Sequence, residues 1–478
     1  MVMNYINDTI CALATPQGSG AIGIVRLSGS GSIEIVDKFF VAHNGRKMAD
    51  TESNKMVFGT FSANGKLLDE CMVAVFRAPH SYTGENSAEI YCHGSSYILG
   101  EVLKALLAGG ARMAGPGDFS KRAFLNGKMD LAQTEAVADL IASETEAAHD
   151  VAMQQMRGGF SNELKEMREQ LLHLVSLMEL ELDFSEEDVE FADRSDLKSL
   201  VVKVLDKVSA LAESFSLGNV IKNGVPVAII GATNTGKSTL LNALLGEDKA
   251  IVSNIHGTTR DVVEDTINLN GITFRFTDTA GIRETKETIE MIGIERTYMK
   301  LKQASIIIMV LDASRQEFFD DSLVNLASRM NTGKQRLIIA LNKADMFNEG
   351  ALEGAVDVMV EQIKKICSDL GLSPIAVLPI SAKNRAGIDE LKSLLVSTQS
   401  ARTVDRNTTL VTNLRHYEAL LDAQRALDRV EDGLNAGTPT DLVSQDIREA
   451  LYHIGSIVGE IDTDEILGNI FSKFCVGK

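Results

Sequence analysis

Gly231-Ala232-Thr233-Asn234-Thr235-Gly236-Lys237-Ser238 follows the apolar run Val225 to Ile230 and leads into Thr239-Leu240-Leu241-Asn242-Ala243-Leu244-Leu245. Strand, tight loop and helix in that order are the context a phosphate-binding P-loop requires. Gly231 and Gly236 let the backbone turn sharply, so that its N–H groups can face an anion. The helix N-terminus adds partial positive charge. Lys237 is placed to reach the outer phosphates, and the Ser238 hydroxyl to bind Mg2+. The competing reading is a glycine-rich turn of similar spelling, and the flanking strand and helix weigh against it.

Further motifs follow in a fixed order. Gly257-Thr258-Thr259-Arg260-Asp261 offers Thr259 as a second Mg2+ ligand. Phe274-Arg275-Phe276-Thr277-Asp278-Thr279-Ala280-Gly281 reads as a strand ending in a carboxylate that can hold the metal through water. Its glycine N–H can sense a γ-phosphate. The apolar run Leu337 to Leu341 precedes Asn342-Lys343-Ala344-Asp345. A carboxylate such as Asp345 accepts two hydrogen bonds, which suits the N–H and NH2 edge of guanine and not adenine. Ser381-Ala382-Lys383 then follows Ala376 to Ile380. Together these motifs resemble those of a GTPase.

Composition bounds the rest. A length of 478 residues suggests ~3 domains. An apolar content of 45% is ample for buried cores. The net charge of −19 argues against nucleic-acid binding by the whole surface, so any RNA contact must use a local basic patch or a partner. Cys11, Cys71, Cys92, Cys367 and Cys475 are scattered and form no C-x-x-C pair. That pattern reads as reduced thiols in a cytosolic protein. Met1 to Asp8 has no signal-peptide or transit character, and the longest apolar run, Ala304 to Val310, is too short to span a bilayer.

Residues 1–120 read as α/β. The strand-like runs are Ile10 to Ala14, Ile22 to Leu27, Cys71 to Phe76 and Glu89 to Cys92, with a helix over Tyr97 to Leu107. Gly115-Pro116-Gly117 marks a boundary. Phe119 to Leu217 reads as helical. Leu164, Met167, Leu171, Leu174, Met178 and Leu182 form one stripe; Leu197, Val201, Val204, Val208 and Leu211 form another. Glu186-Glu187-Asp188 reads as a solvated loop. Helical periodicity returns with Tyr417, Leu420, Ala423, Leu427, Val430 and Leu434, then with Leu442, Ile447, Leu451, Ile454, Val458 and Ile461. Asp441 is the expected N-cap of that last helix. The expected organisation is an α/β domain over 1–120, a helical domain over 121–222 and 399–478, and a Ras-like P-loop domain over 223–398 inserted into it.

The whole chain resembles the MnmE (TrmE) family of tRNA modification GTPases. The residues that carry the likeness are Ala14-Thr15-Pro16, Gly23-Ile24-Val25-Arg26-Leu27-Ser28-Gly29, Ser81-Tyr82-Thr83-Gly84-Glu85, Phe124-Leu125-Asn126-Gly127-Lys128-Met129-Asp130-Leu131, the nucleotide motifs and the ending Phe474-Cys475-Val476-Gly477-Lys478. The resemblance implies a homodimer that works with a flavin-dependent (FAD) partner, MnmG, as a heterotetramer. Together they install an aminomethyl-type group on the fifth carbon of the wobble uridine of certain tRNAs. It also implies a tetrahydrofolate-binding N-terminal domain, with Arg26, Glu85, Lys128 and Lys478 as folate contacts. Taken alone, each of these four reads as a surface charge. Cys475 reads either as a chemically active thiol or as a small apolar filler.

Hydrolysis needs an oriented water, and Ile282 stands where many GTPases place a glutamine. The resemblance gives that role to Glu290. On residue type alone, Glu284, Glu287, Glu290 and Glu295 are equivalent candidates. Positive charge at the transition state can come from Arg260 or Arg283. The resemblance implies K+ instead, held by Asn234, Ser253, Ile255 and Thr258. An asparagine carbonyl and backbone carbonyls suit such a hard cation. The implied catalytic set is Glu290, Lys237 and Cys475. The implied GTP contacts are Asn234 to Thr239, Ser253, Asn254, Ile255, His256, Gly257, Thr258, Thr259, Asp278, Thr279, Ala280, Gly281, Asn342, Lys343, Asp345, Ser381, Ala382 and Lys383. A regulatory GTPase of ribosome assembly is the alternative reading, because such proteins share the Gly-Thr-Thr-Arg-Asp and Asp-Thr-Ala-Gly signatures. Their basic RNA-binding appendage has no counterpart in the acidic helices that end this chain.

Overall fold

A computed structural model describes residues 8–183, 194–246, 264–277, 301, 304–347, 354–399, 408–460, 464–472 and 474–477. The chain divides into two compact units. One joins Met1–Ala142, Val151–Ala212 and Arg415–Lys478; the other joins Ser143–Asp150 and Glu213–Leu414.

The first unit contains a seven-stranded sheet in the order β3-β4-β5-β6-β2-β1-β7. Its strands are β1 (Ile10–Leu13), β2 (Ile22–Ser28), β3 (Phe40–Ala42), β4 (Lys55–Ala63), β5 (Lys66–Phe76), β6 (Ser87–His93) and β7 (Arg112–Met113). All neighbours are antiparallel except β1 and β7. Alternation sets the two faces. Val25 and Leu27 of β2, and Cys71, Val73 and Val75 of β5, point into the core, where Leu99, Val102 and Leu106 of the helix Ser96–Ala108 meet them. Met56, Phe58 and Met72 lie on the opposite, exposed face. Strands β1, β2, β5 and β6 fall where the apolar runs predict. Strand β4 was not anticipated, because Lys-Met-Val-Phe-Gly-Thr-Phe-Ser-Ala carries apolar residues on both faces and a glycine in the middle.

The helices of this unit include Asp118–Leu125, Leu131–Ala142, Gly159–Asp183, Leu414–Ala436, Thr440–Val458 and Asp464–Phe471. Gly159–Asp183 packs along Thr440–Val458. Segments on either side of the second unit in sequence therefore share one core. The stripe Leu164, Met167, Leu171, Leu174 and Met178 is buried, as is Leu197, Val201, Val204, Val208 and Leu211. Two details of Thr440–Val458 differ from expectation. Pro439 occupies the N-cap, so Asp441 sits inside the first turn, where its charge still favours the positive helix end. Leu442 is 52% exposed, and the neighbouring Val443 takes its place in the buried stripe.

The second unit is a six-stranded sheet in the order β13-β12-β11-β8-β10-β9, parallel throughout except for the β9–β10 hairpin. The strands are β8 (Val225–Ile230), β9 (Glu264–Leu269), β10 (Ile272–Thr277), β11 (Ile306–Asp312), β12 (Arg336–Asn342) and β13 (Pro374–Pro379). Strands β11 and β12 are buried almost end to end, as a sheet covered on both faces requires. The helices Lys237–Leu245 and Ile388–Ser397 lie over one face; Phe319–Ala327 and Ala355–Asp369 lie over the other. Among the described residues no helix is long and apolar enough to cross a membrane.

Candidate nucleotide-binding site

In an open parallel sheet, ligands bind beyond the carboxyl ends of the strands. Here those ends carry the P-loop after β8, Asp312 at the end of β11, Asn342 at the end of β12 and Ser381 just after β13. The P-loop adopts the backbone its spelling predicts. Asn234 is left-handed at φ +63°, which asparagine tolerates, and Gly236 has φ +93°. A Cβ on Gly236 would stand 2.3 Å from Asn342 Nδ2, so only glycine fits there. The helix Lys237–Leu245 begins immediately after it, with Ser238 and Thr239 exposed in its first turn.

Lys237 Nζ donates to the carbonyl oxygens of Gly231 at 3.0 Å and Ala232 at 2.7 Å. The ammonium group is thus held directly over the loop, where phosphate oxygens can replace those carbonyls. Thr235 is buried, and its hydroxyl donates to Ala232 O, tightening the turn.

The Asn-Lys-Ala-Asp motif does two things at once. Asn342 Nδ2 donates to Thr235 O at 2.8 Å, while its Oδ1 accepts from Ala382 N at 2.9 Å. That side chain ties the P-loop to the Ser381-Ala382-Lys383 loop. Lys343 Nζ donates to Asn234 O at 3.1 Å. Asp345 receives a hydrogen bond from Asn384 Nδ2 at 3.1 Å, and Asn384 N donates to Ser381 Oγ at 3.2 Å. Asn384 was not anticipated; its place directly after Ser381-Ala382-Lys383 is the only sequence signal for it. Lys383 is exposed. Ser253, Asn254, Ile255, His256, Gly257, Thr258, Thr259, Asp278, Thr279, Ala280, Gly281 and Glu290 lie outside the described residues, as do Arg260, Arg283 and Lys478.

In the first unit, three of the four expected folate contacts gather around the loop Ser81–Glu85. Arg26 sits over the Tyr82 ring, with its guanidinium carbon 5.5 Å from the centroid, and pairs with Glu89 at 2.9 Å. Glu85 accepts from Ser28 Oγ at 2.8 Å and from Arg122 at 2.9 Å. Lys128 Nζ donates to Pro79 O, and its stem passes beside Gly84. Arg122 was missed: it is 7% exposed and bridges Glu85 to Asp8. Burial would raise the Asp8 carboxyl, but Arg112 and Arg122 outweigh it and hold the group below its ordinary range.

The chain end reaches the same unit's sheet. Val476 forms a β-bridge with Pro116, and Gly117 N donates to Cys475 O at 3.4 Å. Gly477 has φ +97°, and a Cβ there would meet Leu13 O at 2.3 Å. Phe471, Phe474 and Leu467 pack with Leu131 behind it. Cys475 itself is exposed, which removes the reading of a buried apolar filler.

A further ionic cluster lies among the helices. Glu135 accepts from His416 Nε2 at 2.6 Å and from Arg415 at 2.9 and 3.2 Å. Burial opposes the charged carboxylate, yet His416 and Arg415 together hold its pKa down to about 2. Nothing in the spacing of residue 135 and residues 415–416 announced this contact.

With that geometry in view, comparison with known proteins is direct. The family model for the GTP-binding protein TrmE N-terminus matches residues 9–128, and that for the MnmE helical domain matches residues 131–475. A tRNA modification GTPase MnmE from Bacteroides fragilis is 52% identical over 98% of this chain and 99% of its own length. One from Flavobacterium johnsoniae is 47% identical over 98% of this chain and 99% of its own. Among solved structures, Aquifex aeolicus Era bound to GDP.AlF4- is 28% identical, covering 42% of this chain and 65% of that one at a TM-score of 0.29. Two family models, near-complete coverage and about half of all positions identical give one conclusion: the chain belongs to the MnmE family of tRNA modification GTPases.

Proposed function

We propose that this GTPase, residues 223–398 of the chain, hydrolyses GTP with K+ stimulation to drive modification of the fifth carbon of wobble uridine in certain tRNAs. It does so with a flavin-dependent MnmG partner and a tetrahydrofolate one-carbon carrier. The observation that carries the reading is the clamp on the P-loop, in which the guanine-recognition motif fastens the Asn234 and Thr235 carbonyls. A bound guanine is thereby linked to the loop that holds the phosphates.

The residues present fit the groups proposed. Ser238, exposed in the first helical turn, would give Mg2+ a hydroxyl ligand, and Thr259 would be the second. The metal would neutralise charge that develops on the phosphates. Asn234, left-handed and exposed in the loop, would give K+ one oxygen, with Ser253, Ile255 and Thr258 completing the set. Glu290 would orient the attacking water. In the first unit, Lys128 is exposed and suits a folate carboxylate. Arg26 and Glu85 are already paired, so a folate would meet Arg26–Glu89 and Arg122–Glu85 as preset ion pairs. The exposed thiol of Cys475 and the terminal Lys478 would reach the ligand from the chain end. Met56, Phe58 and Met72 form an exposed apolar face that supports a homodimer through this unit. Domain limits of 1–120, 121–222 and 399–478 for the remaining parts complete the proposal.

Turnover in K+ and Na+ buffers of equal ionic strength tests the cation. At least tenfold faster hydrolysis in K+ is expected, by the worth of one preorganised charge at the transition state. Equal turnover would remove K+ from the account.

A further inference from the structure

Lys343 is doubly placed. Its Nζ donates to Asn234 O in the P-loop at 3.1 Å and to Asp312 Oδ2 at 2.6 Å. Asp312 stands at the C-terminal end of β11, 5% exposed. Its other oxygen, Oδ1, accepts from Ser314 N at 3.0 Å and from Ser314 Oγ at 2.7 Å. Both carboxylate oxygens are therefore occupied, and the side chain has one orientation. Burial alone would raise this carboxyl; Lys343 and Ser314 more than offset it, so the group stays charged.

Lys343 itself has φ +65°, a left-handed backbone that a lysine adopts only when its surroundings enforce it. Two ties do so here. The side chain is anchored to Asp312, and the preceding Asn342 is pinned between Thr235 O and Ala382 N. Without the carboxylate, a lysine ammonium on a flexible four-carbon stem would favour bulk water over a single loop carbonyl.

We infer that Asp312 is a positioning residue for nucleotide binding: it holds Lys343 against the Asn234 carbonyl and so sets the P-loop before GTP arrives. The inference rests on the GTPase assignment and not on the proposed cation or folate. The Asp312 carboxylate bonds to Lys343 and Ser314, so its role is one of positioning. Asp312 acts through Lys343, by a charge-assisted hydrogen bond between its buried carboxylate and an ammonium group that is 36% exposed.

The test uses the full-length protein. Asp312→Asn keeps the size of the side chain and removes its charge. KM for GTP and Kd for a fluorescent GDP should rise about tenfold, with kcat at saturating GTP within about twofold, because preorganisation is lost and the reacting groups are intact. Ser314→Ala, which removes only the hydroxyl on the far oxygen, should shift both by less than about threefold. A double-mutant cycle with Lys343→Met separates positioning from general damage: in that background Asp312→Asn should cause no further rise. Asp312→Ser, smaller and neutral, carries the same expectations if the asparagine variant does not fold. A folded Asp312 variant with unchanged GDP affinity, or a tenfold rise that persists in the Lys343→Met background, would overturn the inference. Loss of K+ stimulation in the wild type would leave it standing, since GDP affinity is read without turnover.

Discussion

The two units hold their candidate sites in opposite ways. In the nucleotide unit, the residues come in short contiguous runs, and backbone atoms do much of the holding. Lys237, Asn342 and Lys343 all bind main-chain carbonyls of the P-loop. In the sheet unit, the cluster around Ser81–Glu85 is assembled from side chains far apart in sequence: Arg26, Glu85, Arg122 and Lys128, with the chain end beside Leu13 and Pro116. The first kind of site is written locally and tolerates little change in spelling. The second depends on the fold to exist at all, so perturbing its packing should disable it without touching GTP chemistry.

The largest effect expected on this contrast is Lys237→Ala. It should lower GTP turnover by about 100-fold or more, while folate binding, measured by equilibrium dialysis, stays unchanged. Coupled loss of both would break the separation.

Next is Glu135→Ala, which takes the carboxylate away from the buried His416 and the half-buried Arg415. It should destabilise the first unit by about 3 kcal/mol, read from urea midpoints, because removing one partner breaks a largely buried ionic network. The pH dependence has a definite sign. The folded carboxyl titrates near 2, below its ordinary 4.5. Its contribution is therefore full above about 4.5 and is lost as pH falls toward 2. Glu135→Gln should flatten the urea midpoint over that window. A midpoint that falls equally in wild type and Gln variant between pH 5 and 3 would contradict this.

Gly477→Ala should act only on the long-range site. The added methyl meets Leu13 O, and φ +97° is strained for alanine, so the chain end should detach at a cost of about 1–2 kcal/mol. Folate affinity should drop severalfold, with GTP turnover in the absence of folate within twofold. Lys128→Ala is the smallest change: an exposed cation whose loss should weaken folate about threefold and relieve salt sensitivity.

Legibility in the sequence followed the same division. Strand β8, the P-loop and the Asn342 and Ser381 motifs were readable because a phosphate-binding loop needs particular residues at fixed short spacings. The helix stripes were readable because burial repeats every turn. Strand β4 escaped because an edge-proximal strand with an exposed apolar face has no alternation. Arg122 and the pair Glu135–His416 escaped for another reason. A buried charge is recognisable only by its partner, and 37 residues separate Arg122 from Glu85, 281 separate Glu135 from His416. Arg26, Glu85 and Lys128 were singled out by family resemblance alone. The fold adds that they converge on one loop, with Arg26 and Glu85 already engaged in ion pairs and Lys128 bonded to the Pro79 carbonyl.

Mass analysis of the wobble nucleoside in tRNA tests the central claim most directly. Cells lacking the gene would be complemented with wild type, Lys237→Ala, Glu290→Ala or Cys475→Ser. Deletion should leave the fifth carbon of that uridine unmodified, wild type should restore it, and Lys237→Ala and Glu290→Ala should fail to. A modified wobble uridine persisting after deletion, or full restoration by a variant that cannot hydrolyse GTP, would contradict the account.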